Sequence, residues 1–173
     1  MTTLLLVRHG ETDWNADGRL QGQTDRPLSE FGRGQARQLA EELADEELEA
    51  IYASDLARAC ETAAIVGERL GLPVVLDPDL REKDWGTWEG LTAVERDRVE
   101  FVGESTEAHQ ERILRALRRI SERHRGGGSV LVVTHGGSMR RVQTAALGMA
   151  LPVVENCGRW ACACENGSFR ALD

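Results

Sequence analysis

Two short aliphatic runs, far apart in the chain, each lead into the dipeptide His-Gly. Residues 4–7 precede His9, and residues 130–133 precede His135. Runs of this length and composition are typical of buried strands in a parallel sheet. Ligands of open α/β sheets bind at the carboxyl ends of such strands. If these two strands are neighbours, the two imidazoles lie side by side at one edge of the sheet.

Helices and strands alternate along the rest of the chain. Ser29 is a typical helix N-cap, and Gly71 with Pro73 is typical of a helix end. The polar stretch 11–28 predicts a long ordered loop, and loops of that length are usually functional, whereas 77–106 shows no regular pattern. The predicted elements are strands at 4–7, 48–53, 74–76 and 129–134, helices after Ser29 and Leu56 and over 107–124 and 138–147, and a C-terminal hairpin around Asn166-Gly167. The alternation predicts an α/β fold.

The length of 173 residues suits one domain with a full core, so we expect a single domain over 1–173. A formal net charge of −8 argues against nucleic acid or an anionic membrane as a partner. An anionic ligand must therefore be captured by a local cluster of cations. No apolar run approaches the roughly 20 residues that span a bilayer, and no secretory signal is evident, so we expect a cytoplasmic protein. The oligomeric state is not indicated by the sequence.

The four cysteines do not indicate a metal site. Cys60 and Cys157 are isolated, and Cys162 and Cys164 are two residues apart on a predicted strand. No Cys-x-x-Cys pair and no nearby histidine pair is present, so no zinc pattern is matched. We expect Cys162 and Cys164 to be small buried hydrophobic residues, with a redox or metal role as the alternative.

The polar residues at the strand ends form a consistent set. Arg8 precedes His9, Arg58 follows the second predicted strand, and Glu82 follows the third. With His135 they supply two guanidiniums, two imidazoles and one carboxyl group. Phosphoryl transfer needs a nucleophile, cations for the phosphate oxygens and a proton donor for the leaving alkoxide. The set therefore predicts chemistry on a phosphate ester.

Several longer stretches extend this pattern. They are residues 6–12 with Trp14 and Asn15, 18–22 with 27–32, 54–59 with Thr62 and Ala63, 80–82 with 86–90, and 133–137. In this order they resemble the motifs of the histidine phosphatase superfamily, the phosphoglycerate mutase-like proteins. The resemblance extends from the first residues to about residue 147. It implies a three-layer α/β/α sandwich, with a mostly parallel sheet and helices on both faces.

The resemblance also implies a role for each matched residue. His9 is the expected nucleophile, and it forms a phosphohistidine. Glu82 is expected to protonate the leaving alcohol and then to activate water. The residues expected to hold the phosphate oxygens are Arg8, Arg58 and His135, with further contacts from Asn15, Gln21 and Gly136. The neighbouring arginines should lower the pKa of His9 and keep it neutral. No metal and no cofactor are expected, because arginines and histidine supply the positive charge.

Each residue taken alone has a structural alternative, such as a surface ion pair, a loop cap or a solvated carboxylate. We expect Glu11, Trp14, Asp55, Thr62, Trp85 and Trp88 to be scaffold around the pocket. We expect Thr134 either to contribute to the site or to have a structural role at the end of its strand. We expect the arginines of the helix at 107–124 to form a solvated face, with an anion site as the alternative; they are Arg112, Arg115, Arg118 and Arg119.

Phosphatases and mutases of this family use the same histidine intermediate. Family mutases resemble one another in a long insertion after the third motif, whereas residues 91–106 here form a short segment with four acidic and two basic side chains. A short segment at this position leaves the site open to water, which implies hydrolysis. We therefore predict a metal-independent phosphomonoesterase acting on a small phosphorylated metabolite. The alternatives are a cofactor-dependent phosphoglycerate mutase and, in another class, a catalytically silent protein that binds a phosphorylated ligand or partner.

Overall fold

A six-stranded sheet forms the centre of the molecule in this computed structural model, which describes residues 1–149 and 151–172. The strands are β1 (Thr2–Arg8), β2 (Leu48–Ala53), β3 (Val74–Leu76), β4 (Ser129–Thr134), β5 (Arg159–Glu165) and β6 (Ser168–Ala171). Their order in the sheet is β3-β2-β4-β1-β5-β6. The first four are mutually parallel, and β5 and β6 form the predicted antiparallel hairpin at one edge.

The two strands that carry the His-Gly pairs are direct neighbours, as predicted. β1 pairs with β4 in parallel, and Arg8 lies opposite Thr134 in the register. His9 and His135 are the next residue of each strand, so both leave the sheet at the same carboxyl edge. The topology alone therefore juxtaposes two imidazoles separated by more than a hundred residues of chain.

Four longer helices cover the sheet. They are α2 (Glu30–Glu42), α3 (Ala57–Leu70), α5 (Thr106–Arg123) and α6 (Gly136–Leu147), and the single-turn helices are α1 (Asp13–Ala16) and α4 (Ala93–Arg96). Ser29 caps α2 by accepting from the amide of Gly32, and Gly71 ends α3 in the left-handed region at φ 68°. These caps confirm both predicted helix limits. α6 begins two residues earlier than predicted, directly after His135.

Alternate side chains of the strands point to opposite faces and build two cores. Leu4 and Leu6 pack with side chains of α5 and α6, including Leu117 and Met139. On the other face Val7 packs with α2 and α3 side chains. Helices on both faces of a mostly parallel sheet confirm the predicted three-layer α/β/α fold. Cys162 and Cys164 are buried free thiols at the first core, as expected.

The loop 11–28 and Gly10 each have a feature that the sequence pattern did not indicate. The stretch 11–28 contains one helical turn, α1, closed by a capping box in which Thr12 and Asn15 bind each other's backbone amides. The backbone of Gly10 does not adopt positive φ. A Cβ there would lie 2.6 Å from the carbonyl oxygen of Gly32, so glycine is required for the close approach of α2.

Candidate active site

His9 lines a pocket of about 340 Å³ at the carboxyl edge of the sheet. Its Nδ1 lies 2.7 Å from the carbonyl oxygen of Gly10. A carbonyl only accepts, so Nδ1 carries the hydrogen and Nε2 keeps its lone pair. Among the residues described, none hydrogen-bonds to Nε2. The ring is therefore oriented as a nucleophile, with one nitrogen fixed and the other open.

His135 lies beside His9, with 5.2 Å between the ring centroids. Its Nε2 is 2.9 Å from the Ser54 hydroxyl, which already accepts from the amide of Leu56. When the Ser54 hydroxyl donates to Nε2, Nδ1 carries the imidazole hydrogen. This Nδ1 is buried without a protein partner in the described part of the chain. His135 is fully buried and is not among the residues that line the pocket, although its ring lies beside that of His9.

Burial lowers the pKa of both histidines well below the ordinary value of 6.5. The guanidiniums of Arg58 and Arg8 lower both values further, because a second positive charge nearby is unfavourable. Both rings are therefore neutral at physiological pH. For His9 this is the state that the sequence predicted. For His135 the structure likewise favours the neutral ring.

Two guanidiniums reach the same pocket from opposite sides of the sheet. Arg58, near the start of α3, is 1 % exposed and donates to the carbonyls of Gly22 and Thr24. Arg8, at the end of β1, donates to the carbonyl of Val154. The Nε atoms of Arg8 and Arg58 are both buried without a partner among the described residues. Buried N–H groups are nearly always satisfied in native proteins, so these two are suited to donate to an anion bound in the pocket.

The long loop brings two amide side chains to the same wall. The Oε1 of Gln21 accepts from the Thr12 hydroxyl, and the Oδ1 of Asn15 accepts from the Thr12 amide and from Asn156. Both side chains line the pocket. Since their oxygens are already bound, the NH₂ groups are left as donors. That arrangement suits an anion and disfavours a cation.

Glu82 stands across the pocket from the histidines, at the N-terminus of α6. Its Oε2 accepts from the amide of Gly137 and its Oε1 from that of Lys83, each at 2.8 Å. A Cβ on Gly137 would come within 2.5 Å of Oε1, so glycine makes this approach possible. Because α6 starts at Gly136, the amide of Gly136 stays at the helix N-terminus beside the pocket, a position that favours anions.

The peptide that carries Glu82 is held by a second layer of side chains. Arg112 donates to the carbonyls of Asp79, Arg81 and Glu82 and pairs with Glu104 at 2.7 Å. The prediction that Arg112 belongs to a solvated face was therefore wrong, because its guanidinium turns inward to satisfy these carbonyls. The other helix arginines stay nearer solvent: Arg115 and Arg119 pair with aspartates and Arg118 donates to the Gly167 carbonyl.

Thr62, Asp55 and Trp88, which the sequence predicts to be scaffold, make contacts around the pocket, whereas Trp85 itself lines the pocket. Thr62 bridges the site by accepting from the amide of Gly10 and donating to the carbonyl of Arg58. Asp55 binds the guanidinium of Arg81 through both oxygens. The hydroxyl of Thr134 donates to the carbonyl of Leu80, which assigns Thr134 to the strand end. Trp85 and Trp88 stack at 6.0 Å between centroids.

The outer part of the pocket is strongly cationic. Its lining includes six cationic side chains but one carboxylate, that of Glu82; the cations are Arg8, Arg19, Arg58, Lys83, Arg140 and Arg141. Lys83 is buried, with Nζ 4.2 Å from the ring centroid of Trp85 and 3.3 Å from the hydroxyl of Thr106. The acidic residues of 91–106 do not line this pocket, and Glu95 and Glu104 are bound to Arg19 and Arg112. The pocket is therefore locally positive, although the chain as a whole is negatively charged.

Sequence reasoning missed several pocket residues. His109 lies four residues before Ile113 on the apolar stripe of α5, and a polar residue in such a stripe is a readable signal. Arg141 lies one helical turn after Gly137, which also could have placed it near the site. Lys83 follows Glu82 directly. Asn156 binds the His9 carbonyl across the fold, and no sequence pattern indicates that contact.

Two further observations concern the described ranges, 1–149 and 151–172. They contain no cluster of three or more His, Cys, Asp or Glu side chains arranged to hold a metal ion. None of their helices is both long and apolar enough to cross a bilayer.

The sequence and the fold match those of known proteins. The family model of the histidine phosphatase superfamily (branch 1) matches residues 4–171, and this chain belongs to that superfamily. The resemblance predicted from the motifs is thereby confirmed. Phosphoserine phosphatase 1 of Hydrogenobacter thermophilus is 35% identical over 99% of this chain and 86% of its own length.

A second relative and one solved structure are informative about chemistry. Metal-independent phosphoserine phosphatase of Arabidopsis thaliana is 38% identical over 82% of this chain and 67% of its own length. The structure of mycobacterial glucosyl-3-phosphoglycerate phosphatase in complex with VO3 superposes with a TM-score of 0.88. It is 32% identical, with 97% of this chain and 95% of that chain covered. Relatives with phosphatase names therefore share this fold over nearly the whole chain.

Proposed function

We propose that this protein is a metal-independent phosphomonoesterase that acts on a small phosphorylated metabolite through a phosphohistidine on His9. One observation carries the proposal. The open Nε2 of His9 shares a pocket with two buried, unpartnered guanidinium N–H groups and with a carboxyl group across from it. A phosphate dianion would satisfy those donors and present phosphorus to Nε2. The phosphatase names of the relatives support the same reaction.

In the first step the Nε2 lone pair of His9 attacks phosphorus and the bond from phosphorus to the ester oxygen breaks. Arg8, Arg58, the Nδ1–H of His135 and the amide of Gly136 bind the phosphoryl oxygens. Preorganised donors of this kind usually supply the largest part of the rate enhancement. Glu82 gives its proton to the departing alkoxide, which leaves as the alcohol. The product is a phosphohistidine and an ionised Glu82.

In the second step water attacks the phosphohistidine. Glu82, now a carboxylate, takes a proton from the water as its oxygen bonds to phosphorus. The P–N bond breaks, its electron pair returns to Nε2, and inorganic phosphate leaves. His9 is restored as the neutral ring with its hydrogen on Nδ1, where the Gly10 carbonyl has held it throughout. Glu82 is again protonated, so the cycle closes.

The cationic side chains in the outer part of the pocket indicate a narrower class of substrate. Lys83, Arg140 and Arg141 lie beyond Glu82, and none of them has a carboxylate partner among the described residues. A buried ammonium without such a partner is unfavourable unless a ligand supplies the charge. We therefore propose a substrate that carries a second anionic group, such as a carboxylate, besides its phosphate. Phosphoserine and phosphoglycerates have this chemistry.

A phosphate-release assay tests both proposals. We expect purified protein to release phosphate from phosphoserine or 3-phosphoglycerate with a higher kcat/KM than from glycerol 3-phosphate or phosphoethanolamine, which lack the carboxylate. Lys83→Met should remove that preference by raising KM for the carboxylated substrates only. Lys83→Arg is the matched control that keeps the charge. Equal kcat/KM for all four substrates would contradict the second anion site.

The mutase alternative has a separate test. A mutase would interconvert 2- and 3-phosphoglycerate when a bisphosphoglycerate primer is added and would release little phosphate. We expect the opposite, because residues 91–106 form only the single turn of α4 and a short loop. Mutase turnover without net phosphate release would overturn the assignment. Absence of turnover on any of these substrates would favour the silent binding protein.

A further inference from the structure

Glu89 is a partly buried residue whose carboxylate the mechanism above does not use. This carboxylate accepts hydrogen bonds from two separate segments of the chain. Its Oε1 accepts from the amides of Gln23 and Trp85, at 2.8 and 3.1 Å. Its Oε2 accepts from the amide of Thr24 at 2.8 Å and from the hydroxyl of the same residue. Glu89 therefore ties a turn of the long loop to the segment that follows Glu82.

The turn at 22–24 in its own right holds the guanidinium of Arg58. The two terminal nitrogens of Arg58 donate to the carbonyls of Gly22 and Thr24, at 2.6 and 3.1 Å. Its Nε has no partner among the described residues, and the side chain lines the pocket. Because two hydrogen bonds fix the plane of the guanidinium, the positions of these two carbonyls determine where its remaining N–H groups point.

Gly22 shows how closely the turn packs against Glu89. Its backbone has a φ of 56°, in the left-handed region that favours glycine. A Cβ at this position would also collide with Oε1 of Glu89. Since no space separates the carboxylate from the turn, a displacement of the carboxylate displaces the turn as well.

We infer that Glu89 is a positioning residue that directs the guanidinium of Arg58 at the phosphoryl group through the turn at 22–24. The inference rests on the proposed function, since it needs Arg58 as a ligand of the phosphate. The charge of Glu89 has a supporting effect: burial lowers the pKa of Arg58 to about 10, and Glu89 is among the carboxylates that oppose this decrease. Glu89 thus favours both the orientation and the charge of the guanidinium.

Glutamine at position 89 would disturb the turn without changing the volume of the side chain. One of the two acceptor oxygens becomes an NH₂ group, whichever way the amide points. Either the amide of Gln23 or that of Thr24 then faces a donor in place of an acceptor. The turn must shift to relieve this, and its carbonyls no longer hold Arg58 in the same place.

A double-mutant cycle of Glu89→Gln with Arg58→Met tests the inference. If Glu89 acts through Arg58, its substitution costs no more than the loss of Arg58, which is about 100- to 1000-fold in rate. We expect Glu89→Gln to lower kcat/KM for p-nitrophenyl phosphate by about 10- to 100-fold. In the Arg58→Met background the same substitution should lower kcat/KM by less than about threefold, because the positioned group is gone.

Phosphate binding separates positioning from folding. At about 100 times the wild-type Kd for phosphate, a tenfold weaker Kd roughly halves the stabilisation by the ligand. Glu89→Gln should therefore show half or less of the wild-type rise in Tm. The control is Asp77→Asn, which alters a largely buried carboxylate that accepts from the amide of Asp79, pairs with Arg119 and does not line the pocket. It should lower Tm without phosphate but keep the full rise with phosphate.

Thr24→Val is a milder variant that decides the question if Glu89→Gln fails to fold. Valine has a similar volume and removes only the hydroxyl that Glu89 binds. We expect it to lower kcat/KM by about three- to tenfold, and to have almost no effect in the Arg58→Met background.

The two outcomes that contradict the inference differ from failure of the proposed function. Equal fold losses in both backgrounds would overturn the inference, because Glu89 would then act independently of Arg58. A wild-type phosphate rise in Tm for Glu89→Gln would overturn it as well. If wild type hydrolyses no phosphate ester, the proposed function itself fails.

Discussion

Arg58→Met separates what the buried guanidinium does for stability from what it does for binding. Methionine fills a similar volume without a charge. Burial lowers the pKa of Arg58 to about 10 from an ordinary 12.5. At about 1.4 kcal/mol per pH unit, the buried charge costs about 3 kcal/mol. Its two hydrogen bonds to the carbonyls of Gly22 and Thr24 contribute about 1.5–3 kcal/mol each, because the donor is charged.

These opposing terms leave the free energy of unfolding lower by about 0–3 kcal/mol. A domain of this size loses about 2–4 °C of Tm per kcal/mol, so the unliganded variant should melt within about 10 °C of wild type. Catalysis should fall far more. Removing one preorganised donor from a developing anion usually costs about 100- to 1000-fold in rate. Activity is thus lost while the fold is kept.

The assay is thermal melting with and without phosphate, alongside steady-state kinetics. Phosphate at about 100 times its Kd stabilises the wild-type fold by about 2.7 kcal/mol, which raises Tm by about 5–10 °C. Arg58→Met should show almost none of this rise at the same concentration. The control is Arg69→Met on the same helix, where the guanidinium is exposed and pairs with Glu41. A wild-type phosphate shift in Arg58→Met, or kcat/KM within tenfold of wild type, would refute the argument.

Three more outcomes are expected. His9→Ala should abolish turnover and the acid-labile phosphoenzyme, measured by labelling with ³²P substrate, and residual label would place the nucleophile elsewhere. Glu82→Gln should slow alkyl esters by about 100-fold or more and p-nitrophenyl phosphate much less, and equal losses in kcat would remove its acid role. Stability should decrease as pH falls below 6.5, because His9, His109 and His135 bind protons in the unfolded state first. The slope of the free energy of unfolding approaches about 4 kcal/mol per pH unit, and a flat urea-unfolding profile from pH 6.5 to 5 would contradict it.

The fold and the centre of the site can be predicted from local sequence patterns. The aliphatic runs of β1 and β4 predict buried parallel strands, and strand ends in a parallel sheet share one edge. That is why His9 and His135 could be placed together from the sequence. The caps at Ser29 and Gly71 involve only a few neighbouring residues, so they too were predictable.

The supporting residues were not predictable in the same way. Arg112 lies on a helix whose sequence suits a solvated face, yet three backbone carbonyls near Glu82 draw it inward. Those carbonyls belong to the irregular segment 77–106, and the course of an irregular segment depends on tertiary contacts. The role of Gly10 depends likewise on the approach of a separate helix. Such features depend on the packing of helices and loops that are far apart in the sequence.

The acidic residues of 91–106 show how composition can mislead when geometry is unknown. From the sequence alone they would place negative charge over the site. In the structure Glu104 is bound by Arg112, and Glu95 caps its own helix. The pocket is left with the charges of Lys83 and the α6 arginines. Substrate selectivity therefore depends on the charges that have no partner at the pocket. We expect substitution of Lys83 or Arg141 to change selectivity, and substitution of the acidic residues of 91–106 to leave it unchanged.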